Sequence, residues 1–595
     1  MKEMVPQFYE RLLRLLRWRL WIIEKLRPSP WQETLCWAAV AGVLGAGAAL
    51  VFRGGVDLIH SLLTGTTEGM VDSFRELAWW QRLAIPAVGG LMAGLVLLFG
   101  KRLHRGESST DYMEAILIGS GQLPVRASLV KSTAAMFSIA SGGSIGREGP
   151  LVQLAAVAAS WLGRWRNMSA PQLRLLVACG AAAGIASAYN APIAGSFFVA
   201  EIILGTIAME SLGPLAVAAV AATLTMRALS SAHTLYAVPT FTLHSLWEIG
   251  PFVMLGLLAG TVAPFFLRSL RTVEGWFART RLPVPARLAL GGLVVGGVAV
   301  WVPEVCGNGY SVVVAILNGQ LVWTALALVL VCKWAATAAS FGSGAPGGVF
   351  TPTLFVGASL GYLFGYAVHE VWPLGAVDPR AFALVGMGAL LAAASHAPVM
   401  AIIMLFEMTL SYDIIMPLML SSVIAYYTAR GLEHESLYSA ALQKKAAEAP
   451  EAVRLPGVVA DLARPQAAPV QLTARFEEIA RLFLQSRHEE IYVTTPEGRF
   501  AGAISLHDIK PYLSDSAVAA HVIAGDLLRD DVPAVSMAAP LAEALRSFAQ
   551  HAGQTLPAVE PDTGRLAGVL VKNDLLLALL EGRGVPGHLA TANAG

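Results

Sequence analysis

Four stretches of this chain, residues 175–200, 305–332, 334–369 and 381–406, contain no Asp, Glu, Lys or Arg. A helix needs about 20 apolar residues to cross a hydrocarbon layer roughly 30 Å thick, so each stretch can span one. Several other runs between residues 31 and 432 are nearly as bare. The whole chain is 55% hydrophobic and 14% charged, with a mean hydropathy of +0.59, far from the balance of a soluble protein. Most of it is therefore expected to be an all-α polytopic membrane protein. Many of the 57 glycines lie inside these runs, and spacings such as Gly42-Val-Leu-Gly45 let helices approach closely. Glycine at that density predicts many broken or tilted helices.

The formal net charge of +1 hides an asymmetry at the start of the chain. Residues 1–30 carry Lys2, Arg11, Arg14, Arg17, Arg19, Lys25 and Arg27 against Glu3, Glu10 and Glu24. By the positive-inside rule this end is cytoplasmic, and the segment is expected to form an amphipathic helix at the inner interface, not a cleaved signal. Cys36, Cys179, Cys306 and Cys332 are dispersed, a pattern that predicts neither a disulfide framework nor a metal site.

Compared with itself, the membrane part repeats. The pattern G-x-x-x-P at Gly146–Pro150 recurs at Gly348–Pro352, 202 residues later, and Lys131 falls on Lys333 at the same offset. Ala191-Pro192 and Glu201 fall on Ala397-Pro398 and Glu407 at an offset of 206, and Ala115–Leu117 on Ala315–Leu317 at 200. Four matches in order, with so little drift, indicate a duplicated bundle, whose repeat interface is the default place for a substrate site.

After about residue 445 charged residues become frequent and the apolar runs short, which marks a soluble domain. It is duplicated too. Asp461–Arg464 matches Asp526–Arg529, and Gly498–Gly502 with Asp508 matches Gly564–Gly568 with Asp574. Each copy reads as helix (474–486, 541–551), strand (490–494, 556–559), turn, strand (500–505, 566–571) and helix.

Gly146-Arg147-Glu148-Gly149-Pro150 puts a carboxylate between glycines in an apolar segment. Holding it charged in lipid costs about 3 kcal/mol, so by default such a residue marks a pathway; the alternative is a buried Glu paired with Arg147. Pro150 suits the first turn of a helix, leaving backbone N–H groups near Arg147 and Gly149 free to face an anion. Gly347-Gly348-Val349-Phe350-Thr351-Pro352 offers the same device without the charge. Two helix starts converging on one point would make an anion site from backbone alone, with Glu148 competing for it. Gly142-Gly143-Ser144-Ile145-Gly146 also fits the hydrolase elbow G-x-S-x-G, but it lacks a preceding strand and triad partners, which argues against an enzyme. Lys131 with Glu114 reads as a buried ion pair that biases the potential toward anions.

GREGP at 146–150, GGVFTP at 347–352, the Asn190-Ala191-Pro192 helix start and Leu437-Tyr438-Ser439 resemble, in order and spacing, the signature elements of the chloride channel (CLC) family, over residues 31 to about 445. The resemblance implies a homodimer, each subunit a bundle of two inverted-repeat halves with its own pore. It implies that Glu148 is the gate and carries a proton, and that Tyr438, a serine and the amides of Val349 and Phe350 hold the central anion. The obvious serine motif, Gly119-Ser120-Gly121-Gln122-Leu123-Pro124, falls where the repeat aligns 117–123 with Leu317–Leu321, a loop after a helix. The serine is expected instead at a helix start about forty residues before the gate, which selects Ser108, with Ser109 as second choice. Antiporters of the family carry two adjacent glutamates after Asn-Ala-Pro, the second being an inner proton station. Here those places hold Glu201 and Ile202. Neighbouring helical residues point about 100° apart, so Glu201 is a less direct proton relay.

The tail resembles a pair of cystathionine-β-synthase (CBS) modules, small α/β units whose G-h-h-[ST]-x-x-D motif binds the ribose of an adenine nucleotide. Gly502–Asp508 matches fully, with Ser505 and Asp508; in the second copy, Gly568–Asp574, Val571 replaces the hydroxyl and Asp574 remains. The alternative is a dimerisation unit that binds nothing.

The expected organisation is an interfacial helix at 1–30, a membrane domain at 31–445 with halves of about 31–230 and 245–432, and a linker at 446–456. CBS modules follow at 457–515 and 520–583, then a disordered tail at 584–595. The expected function is chloride/proton antiport across a bacterial inner membrane, both termini cytoplasmic, with chloride as substrate and no resident cofactor or nucleic-acid partner. The alternative is a passive voltage- or pH-gated chloride channel.

Overall fold

The structure, a computed structural model, describes residues 30–103, 111–117, 119–230, 246–372, 378–433, 435–438, 457–465, 469–485, 490–505, 508–509, 512, 521–530, 532–550, 553–572, 574–575 and 578. The N-terminal helix, Ser108 and Ser109, the linker and the C-terminal tail named above lie outside them. The chain divides into two compact units, Met1–Leu442 and Gln443–Gly595.

Among the described residues of the first unit, eight helices are long and apolar enough to cross a membrane. The elements fall into two matching series. The first runs α1 (Pro30–Thr64), α2 (Met70–Glu76), α3 (Trp79–Leu103), α4 (Tyr112–Leu117), α5 (Val125–Ala140), α6 (Glu148–Trp165), α7 (Ala170–Tyr189), α8 (Pro192–Phe197) and α9 (Met209–Leu229). The second runs α10 (Ile249–Arg279), α11 (Val284–Trp301), α12 (Tyr310–Leu317), α13 (Trp323–Gly342), α14 (Phe350–Val371), α15 (Pro379–Ser395), α16 (Pro398–Thr409) and α17 (Ile415–Leu432). Packing repeats as well: α1 lies on α7 and α9, and its counterpart α10 on α15 and α17. Counterparts also pack on each other, α3 on α11 and α8 on α16.

Local chemistry explains the broken helices. α7 and α15 each end on a residue in the left-handed region, Asn190 (φ 54°) and His396 (φ 57°), which turns the chain at equivalent points. Pro192 and Pro398 then open α8 and α16, where the missing N–H costs nothing. On α14, Gly357, Gly361 and Gly365 recur every four residues and face α15. A Cβ at Gly361 would strike the Phe382 carbonyl, and one at Gly386 would strike that of Gly357. The two backbones therefore touch, as small residues permit in membrane helices.

In the second unit each module has a three-stranded sheet with a parallel and an antiparallel pair. β1 (Val470–Gln471), β2 (Glu490–Thr494) and β3 (Phe500–Ser505) carry helix α18 (Phe476–Gln485), and β4 (Val535–Ser536), β5 (Thr555–Val559) and β6 (Leu566–Val571) carry α19 (Leu541–Gln550). The two-residue strands β1 and β4 are too short to read from sequence. Each module adds an edge from the other: Arg464 pairs with Val569, and Ala503 with Arg529.

Candidate anion site

The two G-x-x-x-P segments meet through their backbones. Gly146 N–H donates to Gly348 O at 2.6 Å, and Gly348 N–H donates to Gly146 O at 2.8 Å. Residues equivalent by the repeat thus form an antiparallel bridge, and a local two-fold axis passes between them. Two residues further along each strand, α6 begins at Glu148 and α14 at Phe350. First-turn N–H groups have no partner within their helix and carry the positive end of its dipole, so this junction gathers donors for a negative charge.

Glu148 occupies it. Its side chain is buried at 5% exposure and lies between two cavities. The main one, about 290 Å³, is lined from both halves, with Gly149, Lys131, Ser132, Val349, Phe350 and Tyr438 among its walls. The second, about 10 Å³, has room for about one water and is lined by Arg147, Tyr189, Asn308, Tyr310 and Thr351. The Tyr189 hydroxyl donates to Glu148 Oε1 at 2.7 Å, and the Thr351 hydroxyl donates to the same oxygen. Glu148 Oε2 has no hydrogen-bond partner among the described residues. Arg147 is half-buried, and its guanidinium makes no hydrogen bond or ion pair among the described residues, so a direct Glu148–Arg147 salt bridge is not formed.

Tyr438 reaches the main cavity because Leu437 N–H is tied to Ala394 O at the end of α15, at 2.9 Å. Its ring meets Phe198 edge-on at 5.6 Å, and Phe350 lies 6.5 Å from Phe198 and 5.3 Å from Tyr189. Asp111 and Tyr112, just after the undescribed Ser108 and Ser109, also line this cavity. Gly121, in the rejected serine motif, is packed in the loop after α4 against Leu173 and Arg174.

Glu201 caps a helix of the other repeat. It sits on a π-helical turn, Phe198–Ile203, outside both cavities, and accepts from Val399 N–H at 3.2 Å and Met400 N–H at 2.6 Å in the first turn of α16. Glu407 on α16 does the reverse, accepting from Ile193 N–H at 3.0 Å and Ala194 N–H at 2.7 Å in α8. Each carboxylate caps the other repeat's helix. Both carboxylate oxygens of Glu201 are thus engaged by backbone N–H groups of α16, and Ile202 is packed against the core.

Sequence reasoning missed Tyr189, Thr351 and Ser132, because a tyrosine ending an apolar helix and single hydroxyls in small-residue runs look like packing. It noted Lys333 only as a match for Lys131. Lys333 is fully buried and donates to Val305 O at 2.8 Å and Gly307 O at 2.6 Å. Gly307 N–H in turn donates to Gly142 O at 3.2 Å, anchoring the segment that leads to Gly146.

In the second unit, Asp508 accepts from Ser505 N–H at 3.1 Å. Asp574 is engaged by Arg464, at 2.7 Å from Nε and 2.8 Å from Nη2.

A family model for the voltage gated chloride channel matches residues 88–430, and one for the CBS domain matches 459–515 and 524–581. The chain belongs to the CLC family. A putative chloride channel protein, ClcB-like, from Ralstonia nicotianae is 51% identical to it over 413 residues, 68% of this chain and 96% of the relative. A voltage-gated ClC-type chloride channel, ClcB, from Citrobacter koseri is 43% identical over 407 residues, 67% of this chain and 97% of the relative. Among solved structures, a slow cyanobacterial Cl−/H+ antiporter matches with a TM-score of 0.63 and 26% identity, over 71% of this chain and 99% of that one. A CLC-type fluoride/proton antiporter shares the fold at a TM-score of 0.58 and 22% identity, over 69% of this chain and 98% of that one. This CLC protein is thus a multi-pass membrane protein of a transporter and channel family, not of an enzyme family, with a CBS pair at its C-terminus.

Proposed function

We propose that this protein exchanges chloride for protons, with Glu148 as the gate and proton carrier. One observation carries the reading: a buried carboxylate fills the junction of two helix starts and separates two cavities. When Glu148 is protonated or displaced, the donors that hold it are free for chloride. Tyr438, the amides of Val349 and Phe350, and Ser108 or Ser109 would hold the anion deeper in, and Arg147, lining the second cavity, would draw anions toward Glu148 and Gly149. The active form is a homodimer in a bacterial inner membrane, both termini cytoplasmic, and the CBS pair takes an adenine nucleotide through Asp508. The test is reconstitution in liposomes under a chloride gradient. Proton movement against its own gradient is expected; chloride flux without it would leave the second reading.

That reading is a passive chloride channel, voltage- or pH-gated. It is favoured by Ile202 in place of a second glutamate and by the commitment of Glu201 to capping α16.

A further inference from the structure

Glu148 Oε1 is held by two side-chain hydroxyls as well as by its place at the helix starts. One comes from each half, Tyr189 ending α7 and Thr351 in the first turn of α14, and their oxygens lie 3.0 Å apart. Both hydroxyls are buried, and among the described residues their hydrogen-bond partners are each other and Glu148. Tyr189 is itself aimed. Arg53 Nη2 donates to Ser187 O at 2.7 Å and Ala188 O at 2.9 Å, fixing the end of α7, and Arg227 Nε donates to Asn190 Oδ1 at 3.1 Å, fixing the turn that follows. A carboxylate oxygen received by converging O–H donors is a stand-in for a small monovalent anion in the same place.

We propose that the Tyr189 and Thr351 hydroxyls are ligands of the anion seat that Glu148 fills here, and that they set how tightly a halide is held once the carboxylate leaves. The proposal rests on the gate reading of Glu148. When Glu148 swings away, two buried donors lose their only charged acceptor. Leaving them unsatisfied is costly, so a chloride that accepts from both is retained. The same two bonds hold Glu148 in the seat, so they set the competition between gate and anion.

Chloride titration calorimetry on the purified full chain tests this, with E148A as reference and Y189F, T351V or T351S added to it. E148A is expected to bind one more chloride than the unaltered protein. Y189F and T351V should each weaken that extra site roughly tenfold, as expected for losing a hydrogen bond to a charged group. T351S keeps the hydroxyl, should retain the affinity, and controls for folding at this position. An extra site in E148A that neither Y189F nor T351V weakens by more than twofold overturns the proposal and leaves the gate reading standing. No extra site in E148A overturns the gate reading, and the proposal with it.

Discussion

Among the described residues, the carboxylate of Glu148 has hydrogen-bond partners on one oxygen, and its other oxygen is buried without any. A group held by so few bonds can leave its seat at little cost, as the proposed gate would have to. If Glu148 is the gate proposed above, replacing it by Ala removes both plug and proton carrier, so the variant should move chloride with no coupled proton, a loss of all measurable coupling in a liposome flux assay. Retained coupling would remove Glu148 from the proton path. Tyr438 makes the complementary prediction. It is one of two tyrosines lining the main cavity among the described residues, and if its hydroxyl holds the anion, Tyr438→Phe should weaken chloride binding by roughly tenfold while leaving the Phe198 contact intact, read by calorimetry. Glu148 was legible because a charge among glycines in an apolar run is conspicuous. Tyr189 and Thr351 were not, because their role depends on a contact between residues 162 apart in the chain.

At the scale of elements, the halves are joined where the repeat axis passes: the Gly146–Gly348 bridge, and α8 against α16 with their exchanged carboxylate caps. Each cap satisfies two N–H groups that would otherwise be orphaned, a contribution of about 1 kcal/mol. Glu201→Ala and Glu407→Ala should therefore lower thermal stability by similar amounts, and Glu201→Gln, which keeps one acceptor, by less. The discriminating measurement is proton coupling in Glu201→Gln. Coupling should persist if Glu201 is a cap, and its disappearance at unchanged melting temperature would make Glu201 a relay after all. Alignment of Glu201 with Glu407 was readable from sequence, but not their exchange, since a repeat reveals equivalence and not contact. The π-helical turn at Phe198–Ile203 was invisible for a similar reason: an inserted residue changes hydrogen bonding without changing apolar character. The backbone contact of α14 and α15 gives a sterner test. Gly361→Leu would force those helices apart at a cost of at least roughly 3 kcal/mol, and should yield little monodisperse protein by size-exclusion chromatography.

Over the whole molecule, apolar side chains gather in separate cores for the membrane unit and for each CBS module. The modules share one further cluster, in which Tyr492, Ala503 and Val532 meet Leu566 and Val569, and Tyr492 donates to Thr555 Oγ1 at 2.8 Å. Residues 443–595 expressed alone should then fold, and the two modules should melt in one cooperative transition, because neither can lose its core without exposing that cluster. The same fragment decides whether the tail senses anything. The two candidate carboxylates differ: among the described residues Asp508 accepts from a backbone N–H, whereas Asp574 is already engaged by the exposed Arg464. A ribose can add to Asp508 directly, but at Asp574 it must first displace an arginine, and an exposed ion pair of that kind is worth up to about 1 kcal/mol. An adenine nucleotide at a hundredfold excess over its dissociation constant should stabilise the fragment by about 2.7 kcal/mol. Asp508→Ala should abolish the resulting rise in melting temperature, and Asp574→Ala should leave most of it. If millimolar adenosine nucleotides shift neither the fragment nor its Arg464→Ala variant, in which the second carboxylate is released, the pair is a structural unit with no nucleotide to report.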